Sequence, residues 1–168
     1  MYPVSDGFLR AVKSNTRKYY WTGTIVTRGG MTYEFGAKEI VKGSGYISRQ
    51  CCGSTEIELG TVYAAEMGIT LLSDIDRYTL EDAQVTLVFH LVLADDSVED
   101  VPMGVFEVSE ANRLAKCLEL KAYDFMLRFD KSFNGFETVG TAYDFIALCC
   151  KRCKVCLLYT SPSPRDCS

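Results

Sequence analysis

The sequence predicts a mainly β (α+β) fold. An antiparallel, barrel-like sheet carries a short helix at its N-terminal end, and a second helix opens a further domain. Three observations predict it. From Val85 to Lys131 the chain runs VTLVFHLVLADDSVEDVPMGVFEVSEANRLAKCLELKAYDFMLRFDK, three β-segments separated by polar turns. Upstream, the aromatic and β-branched run Tyr19 to Thr27 is followed by Arg28-Gly29-Gly30 and a return from Met31 to Phe35. Clear helical periodicity is confined to Phe8, Leu9 and Val12 near one end and to Thr141 to Lys154 near the other.

Taken in order, Ser5-Asp6 can cap a short amphipathic helix whose apolar face is Phe8, Leu9 and Val12, with Arg10 and Lys13 outside. That face either packs on its own domain or docks on a neighbouring subunit. Tyr19 to Thr27 and Met31 to Phe35 form a hairpin, because Gly29-Gly30 supplies the positive φ its turn requires. Gly43-Ser44-Gly45 has the look of a phosphate loop but lacks the third glycine and a following helix, so it reads as a bend. Tyr46 to Cys52 and Thr55 to Leu59 are short extended pieces. Thr61 to Leu72 mixes helix formers with Gly68-Ile69-Thr70 and reads as a long strand bent at Gly68. Ser73 to Ala83 is an acidic loop with one helical turn.

The meander follows. Its first strand is Val85 to Ala94, its second Val98 to Val108 and its third Leu114 to Ala122, with turns at Asp95-Asp96-Ser97 and Ser109 to Arg113. In the first strand Val85, Leu87, Phe89, Leu91 and Leu93 share one face, while Thr86, Val88, His90 and Val92 share the other. Both faces are largely apolar, which predicts burial on both sides or a covering partner. Phe125, Met126 and Phe129 suit a short helix, and Asn134-Gly135 a turn. Thr141 can cap the last helix, with Asp144 in its first turn and basic residues in its last.

A chain of 168 residues suggests one main domain with part of a second. The formal charge of -4, with no basic block, argues against a nucleic-acid partner. Apolar runs fall far short of the roughly 20 residues that span a bilayer, so no membrane insertion is expected. The N-terminus shows no basic-then-apolar leader.

Cys150, Cys153 and Cys156 form C-x-x-C-x-x-C beside Cys149, a pattern that suggests a metal. However, Cys156 to Asp166, CLLYTSPSPRD, matches residue for residue the translation of a sequencing-library adapter. On this reading residues 156–168 are not natural protein, the motif loses a ligand, and the natural chain continues differently after Val155. The remaining cysteines are expected as reduced thiols, with no metal and no cofactor.

No catalytic constellation emerges. His90 is the single histidine, mid-strand between apolar neighbours, and reads as structural. There is no H-E-x-x-H, no P-loop and no G-x-S-x-G. Asp74, Asp76, Glu81 and Asp82 do not follow calcium-loop spacing. No catalytic residue is assigned, and the residues present are expected to be non-enzymatic.

Three stretches carry a family resemblance: IVKGSGYISRQC (Ile40 to Cys51), ELGTVYAAEMGITLL (Glu58 to Leu72) and Pro102 to Phe133. The last follows G-V-F-x-V … L-x-A-Y-D-x-M-x-x-[LF]-D-K-x-[FY] from Gly104 to Phe133. Together they resemble the N-terminal module of tail proteins from phages and prophages of Firmicutes, the baseplate-hub or tail-tip proteins also called tail-associated lysins or prophage endopeptidase tail proteins. The resemblance implies a virion structural role in a homotrimeric hub at the tail tip, built from β-barrel-like domains. Its neighbours would be a distal tail protein ring and tail tube proteins. It also leaves open an N-terminal scaffold for a cell-wall hydrolase whose catalytic domain lies beyond Val155. The implied organisation is an N-terminal arm (1–16), a hub domain (17–131), the start of an α/β domain (132–155) and the adapter-like tail. On that basis the candidate subunit contacts are Val88, His90 and Val92 on the first meander strand, and Phe8, Leu9 and Val12 on the N-terminal helix.

Overall fold

The computed structural model describes residues 2–50, 63–132 and 140–156. It is a single antiparallel sheet with a short helix at each end. Helix α1 is Asp6–Val12. The strands are β1 (Lys18–Val26), β2 (Thr32–Phe35), β3 (Tyr46–Ser48), β4 (Glu66–Leu72), β5 (Gln84–Val92), β6 (Val98–Leu114) and β7 (Cys117–Tyr123). Helix α2 is Ala142–Cys153. The strand order is β2-β1-β5-β6-β7-β4-β3, so the meander β5-β6-β7 lies at the centre, as its length and apolar content imply.

Among the described residues the sheet is not closed into a barrel, because β2 and β3 end the ladder. It is nevertheless strongly curled. Seven flat strands at about 4.8 Å spacing would set the outermost pair about 29 Å apart. Ile40 bridges Leu71 on the β3 side of β4, yet it follows Phe35 of β2 by five residues, a reach of at most about 17 Å. The sheet must therefore bend until its two ends approach. The corner is a tight turn in which the Glu39 and Ile40 amides donate to the Gly36 carbonyl and the Gly36 amide donates to Glu39 Oε2 at 2.8 Å.

Curling wraps one face into the core. Alternate residues of every long strand meet there, among them Ile25, Phe35, Met67, Ile69, Leu71, Val85, Leu87, Phe106, Leu118 and Leu120. The period-2 pattern of β5 holds: Val85, Leu87 and Leu91 are fully buried, while Val88, His90 and Val92 on the other face are only half-buried. This outer face is therefore not buried within the chain, and of the two expectations for β5 only the covering partner remains open.

Two bulges let a 17-residue strand follow this curve. The first, opposite Leu87 and Val88, is centred on Met103 and places Gly104 at φ +123°, a backbone that favours glycine. The second interrupts the register between Val108 and Glu110. The expected turn at Ser109 to Arg113 is thus strand, and the chain reverses instead at Ala115-Lys116, with Ala115 at φ +55°. Its polar residues misled because this part of β6 has an exposed outer face carrying Glu110 and Asn112, while Ala111 and Arg113 pair with Leu120 and Leu118 on β7.

Other expectations differ in extent. Within Thr61 to Leu72 the described strand starts at Glu66, and Gly68 sits in a regular ladder rather than a bend. The segment after Tyr123 is a 3-10 turn, Phe125–Phe129, capped by the Asp124 side chain. The expected helical turn in the acidic loop is the 3-10 turn Arg77–Leu80, which drives Leu80 into the core. Thr55 to Leu59 and Asn134-Gly135 lie outside the described residues.

Candidate functional site

The strands β1, β5 and β6 pair along their lengths, so their outer faces form one continuous surface. Register sets its composition. Val88 lies between Thr22 and Pro102, His90 between Tyr20 and Asp100, and Val92 between Lys18 and Val98. Tyr20, Val98 and Val105 are exposed around this row. The surface is therefore mixed: Tyr20, Val88, Val92, Val98 and Pro102 lie among Lys18, Thr22, Thr24, Thr86, His90 and Asp100.

The polar cluster around His90 is the main departure from the sequence expectation for that residue, which set it between apolar neighbours. Its Nε2 lies 2.7 Å from Thr22 Oγ1, and its Nδ1 lies 2.5 Å from Asp100 Oδ1. The ring stacks on Tyr20 with centroids 4.5 Å apart and planes 11° from parallel. The His90 side chain is only 12% exposed, against 60% for Asp100. The partners come from strands 68 and 10 residues away in the chain, so no local spacing could announce them. The usable signal is Asp100 directly across from the histidine on β6 and Thr22 diagonal to it on β1, and reading it requires the register.

The bonding fixes the tautomer of the neutral ring. A carboxylate only accepts, so Nδ1 carries the hydrogen and Nε2 offers its lone pair. Thr22 then donates its hydroxyl hydrogen to Nε2. Thr22 also lines an open hollow of about 410 Å³, with Thr24, Glu34, Glu39, Thr86 and Val88 around it.

The helical candidates separate. Phe8 turns towards the sheet and meets Phe89 edge-on, centroids 6.4 Å apart. Phe89 also packs against Tyr19 and Trp21, so α1 joins an aromatic cluster. Ser5 anchors the helix start through Glu99: its amide donates to Oε1 at 2.9 Å and its hydroxyl to Oε2 at 2.5 Å. Val12 is half-buried, and Leu9 is exposed. Of the two readings of α1, packing on its own domain accounts for Phe8, and only Leu9 of the three presents an exposed apolar side chain.

A second polar network sits on the outer face of β3, β4 and β7. Tyr46 donates to Glu66 Oε1 at 2.6 Å, Lys121 Nζ is 3.5 Å from Glu66 Oε2, and Lys121 lies over the Tyr123 ring. The Tyr46 hydrogen bond, assisted by Tyr123 and Lys121, holds the Glu66 carboxyl below its ordinary range. The same bond raises the Tyr46 phenol. Among the described residues no group of three or more His, Cys, Asp or Glu is placed to hold a metal ion. Cys150 is buried, Cys149 and Cys153 are partly so, and no described helix is long and apolar enough to cross a membrane.

No family model and no curated protein matches this chain. Among solved structures it is similar to a chain of the virion of a native gene transfer agent particle, at 11% sequence identity and a TM-score of 0.49. That likeness covers 79% of this chain and 49% of the other, so the chain spans about half the length of the structure it matches.

Proposed function

We propose that this chain is a virion structural protein: a component of a phage tail baseplate hub or tail tip that assembles as a homotrimeric ring. In that role it links the tail tube, through a distal tail protein, to the cell-facing tip. The observation that carries the reading is the outer face of β1, β5 and β6. Valines and a proline flank His90 on a sheet whose opposite face already fills the core. A sheet that keeps valines, a tyrosine and a proline on the face turned away from its core fits a ring, where one face supports the subunit and the other meets a neighbour. The family resemblance falls on this same body. From Gly104 to Phe129 it covers the second, bulge-bearing half of β6, then β7 and its closing 3-10 turn. Its Gly-Val-Phe start is explained by the backbone: Gly104 takes the positive φ and Phe106 is a fully buried core anchor.

Native mass measurement of the purified chain, alone and with a distal tail protein, tests the proposal. A trimer, or a trimer formed on the partner ring, is expected, together with detection of the protein in purified virion tails by mass spectrometry. A strict monomer in both measurements, with no trace in virions, would sink it.

A further inference from the structure

We propose that Thr22 is an activated acyl-acceptor hydroxyl, with His90 as its base and Asp100 as the positioning residue, and that it takes the acyl group of activated aryl esters. This goes beyond the ring-assembly reading and concerns the chain before assembly, since a neighbour seated on the face of Val88, His90 and Val92 would cover the same hydroxyl.

Three adjacent strands each supply one side chain. Asp100 on β6 accepts from His90 Nδ1, and His90 Nε2 on β5 faces the Thr22 hydroxyl on β1 at 2.7 Å. This is the order of acid, base and hydroxyl that makes a nucleophile from an alcohol, and such a set is recognised by geometry rather than by chain position. The ring is held in place from three sides, by Asp100, Thr22 and the parallel Tyr20 ring. Little ordering of the base is left to do when a substrate arrives. Thr22 is only part-buried, on the face turned away from the core, so the pair is not sealed inside the sheet.

The step balances without a co-reactant. Thr22 Oγ1 attacks the acyl carbon while its proton passes to His90 Nε2. The carbon–aryloxide bond breaks, and the departing aryloxide takes the proton from His90. The products are a Thr22 ester and a phenol, and nothing is oxidised or reduced. Water activated by the same nitrogen can then hydrolyse the ester and restore the hydroxyl. The substrate class follows from the setting. Amides of a strand lie in the plane of its sheet, bonded to neighbouring strands, and do not point at a group above the face. The oxyanion is left to solvent, so reaction requires a good leaving group and excludes peptide bonds.

The test is exposure of the full chain to p-nitrophenyl acetate, with p-nitrophenol release followed and the acetylated peptides mapped by mass spectrometry. One acetyl group on the peptide carrying Thr22 is expected. It should be lost in Thr22→Val, retained in Thr22→Ser and slowed about 100-fold in His90→Gln. Asp100→Asn should lose labelling while Asp100→Glu keeps it, which a purely structural aspartate would not show. Mapping of the wild-type chain decides even where a variant folds poorly. Acetyl groups found only on lysines, or Thr22 labelling unchanged in His90→Gln, would overturn the proposal.

Discussion

Individual residues divide into those whose environment is local and those defined by a strand far away. Glu66 belongs to the second kind. Its carboxyl is held below the ordinary range chiefly by the Tyr46 hydroxyl, which arrives from β3. A carboxyl depressed in the folded state stabilises it above the unfolded value, near 4.3, and that contribution fades as pH falls through the folded value. Chemical denaturation of Glu66→Gln across the acid range should therefore show a shallower loss of stability below about pH 4.3 than the wild-type chain. The two raised partners do not act in that range: Tyr46 and Lys121 are both shifted upward, so their contributions are complete in acid and fade only at alkaline pH.

Two glycines make a sharper residue-scale contrast. A Cβ at Gly23 would lie 2.4 Å from a Phe35 ring carbon and 2.5 Å from the Thr86 carbonyl oxygen, which belongs to the paired strand and cannot swing aside. A Cβ at Gly68 would lie 2.2 Å from the Tyr46 ring, the far part of a half-exposed side chain that can rotate away. Thermal unfolding should show Gly23→Ala strongly destabilised, by about 1–3 kcal/mol as for other overpacked cores. Gly68→Ala should fall less, with its loss traced to the Tyr46–Glu66 bond, at roughly 0.5–1.5 kcal/mol. Equal losses at the two sites would contradict this account.

At the scale of elements, α2 shows how a helix can be legible in sequence while its docking is not. Thr141 accepts from the Asp144 amide, and the Asp144 side chain accepts from the Thr141 amide at 2.8 Å, a reciprocal capping box. The Thr141 amide, with its hydroxyl, donates to the Asp144 carboxyl and holds it below its ordinary range. Arg128, outside the helix, ties the helix's C-terminal end to the sheet. Its Nε donates to Glu107 on β6 at 2.8 Å, another nitrogen donates to the Lys154 carbonyl at 3.0 Å, and its guanidinium lies over Phe125. Arg128→Ala should therefore release α2 from the sheet. Hydrogen exchange should show α2 amides losing protection while β5 to β7 keep theirs. Protection lost evenly across the chain would show instead that Arg128 supports the whole fold.

At the scale of the whole molecule, the curled sheet separates a buried inner face from a half-exposed outer face, the proposed assembly face. Val88→Asp and Val92→Asp place a charge on the outer face, where both side chains are only half-buried. Each variant should retain most of its thermal stability and lose the native mass of the ring. A fully buried inner-face change such as Phe106→Ala should instead lower stability by about 3–5 kcal/mol. If both aspartate variants assemble as the wild type does, the outer face is solvent-facing.

Much of this was written in the chain. Alternation in β5, the hairpin glycines, Ser5 and Thr141 as caps, and the acidic loop each follow from residues within a few positions of one another. Short-range periodicity and turn chemistry suffice for these because their causes are short-range. By itself the sequence determined a mainly β antiparallel chain, its inward face and its terminal helices. Tertiary structure alone decided the rest: that the sheet curls without closing, that β6 runs through its polar stretch on two bulges, and that His90 has partners. Those depend on register between strands up to 68 residues apart, and a shift of one residue would turn Thr22 and Asp100 to the opposite face from His90.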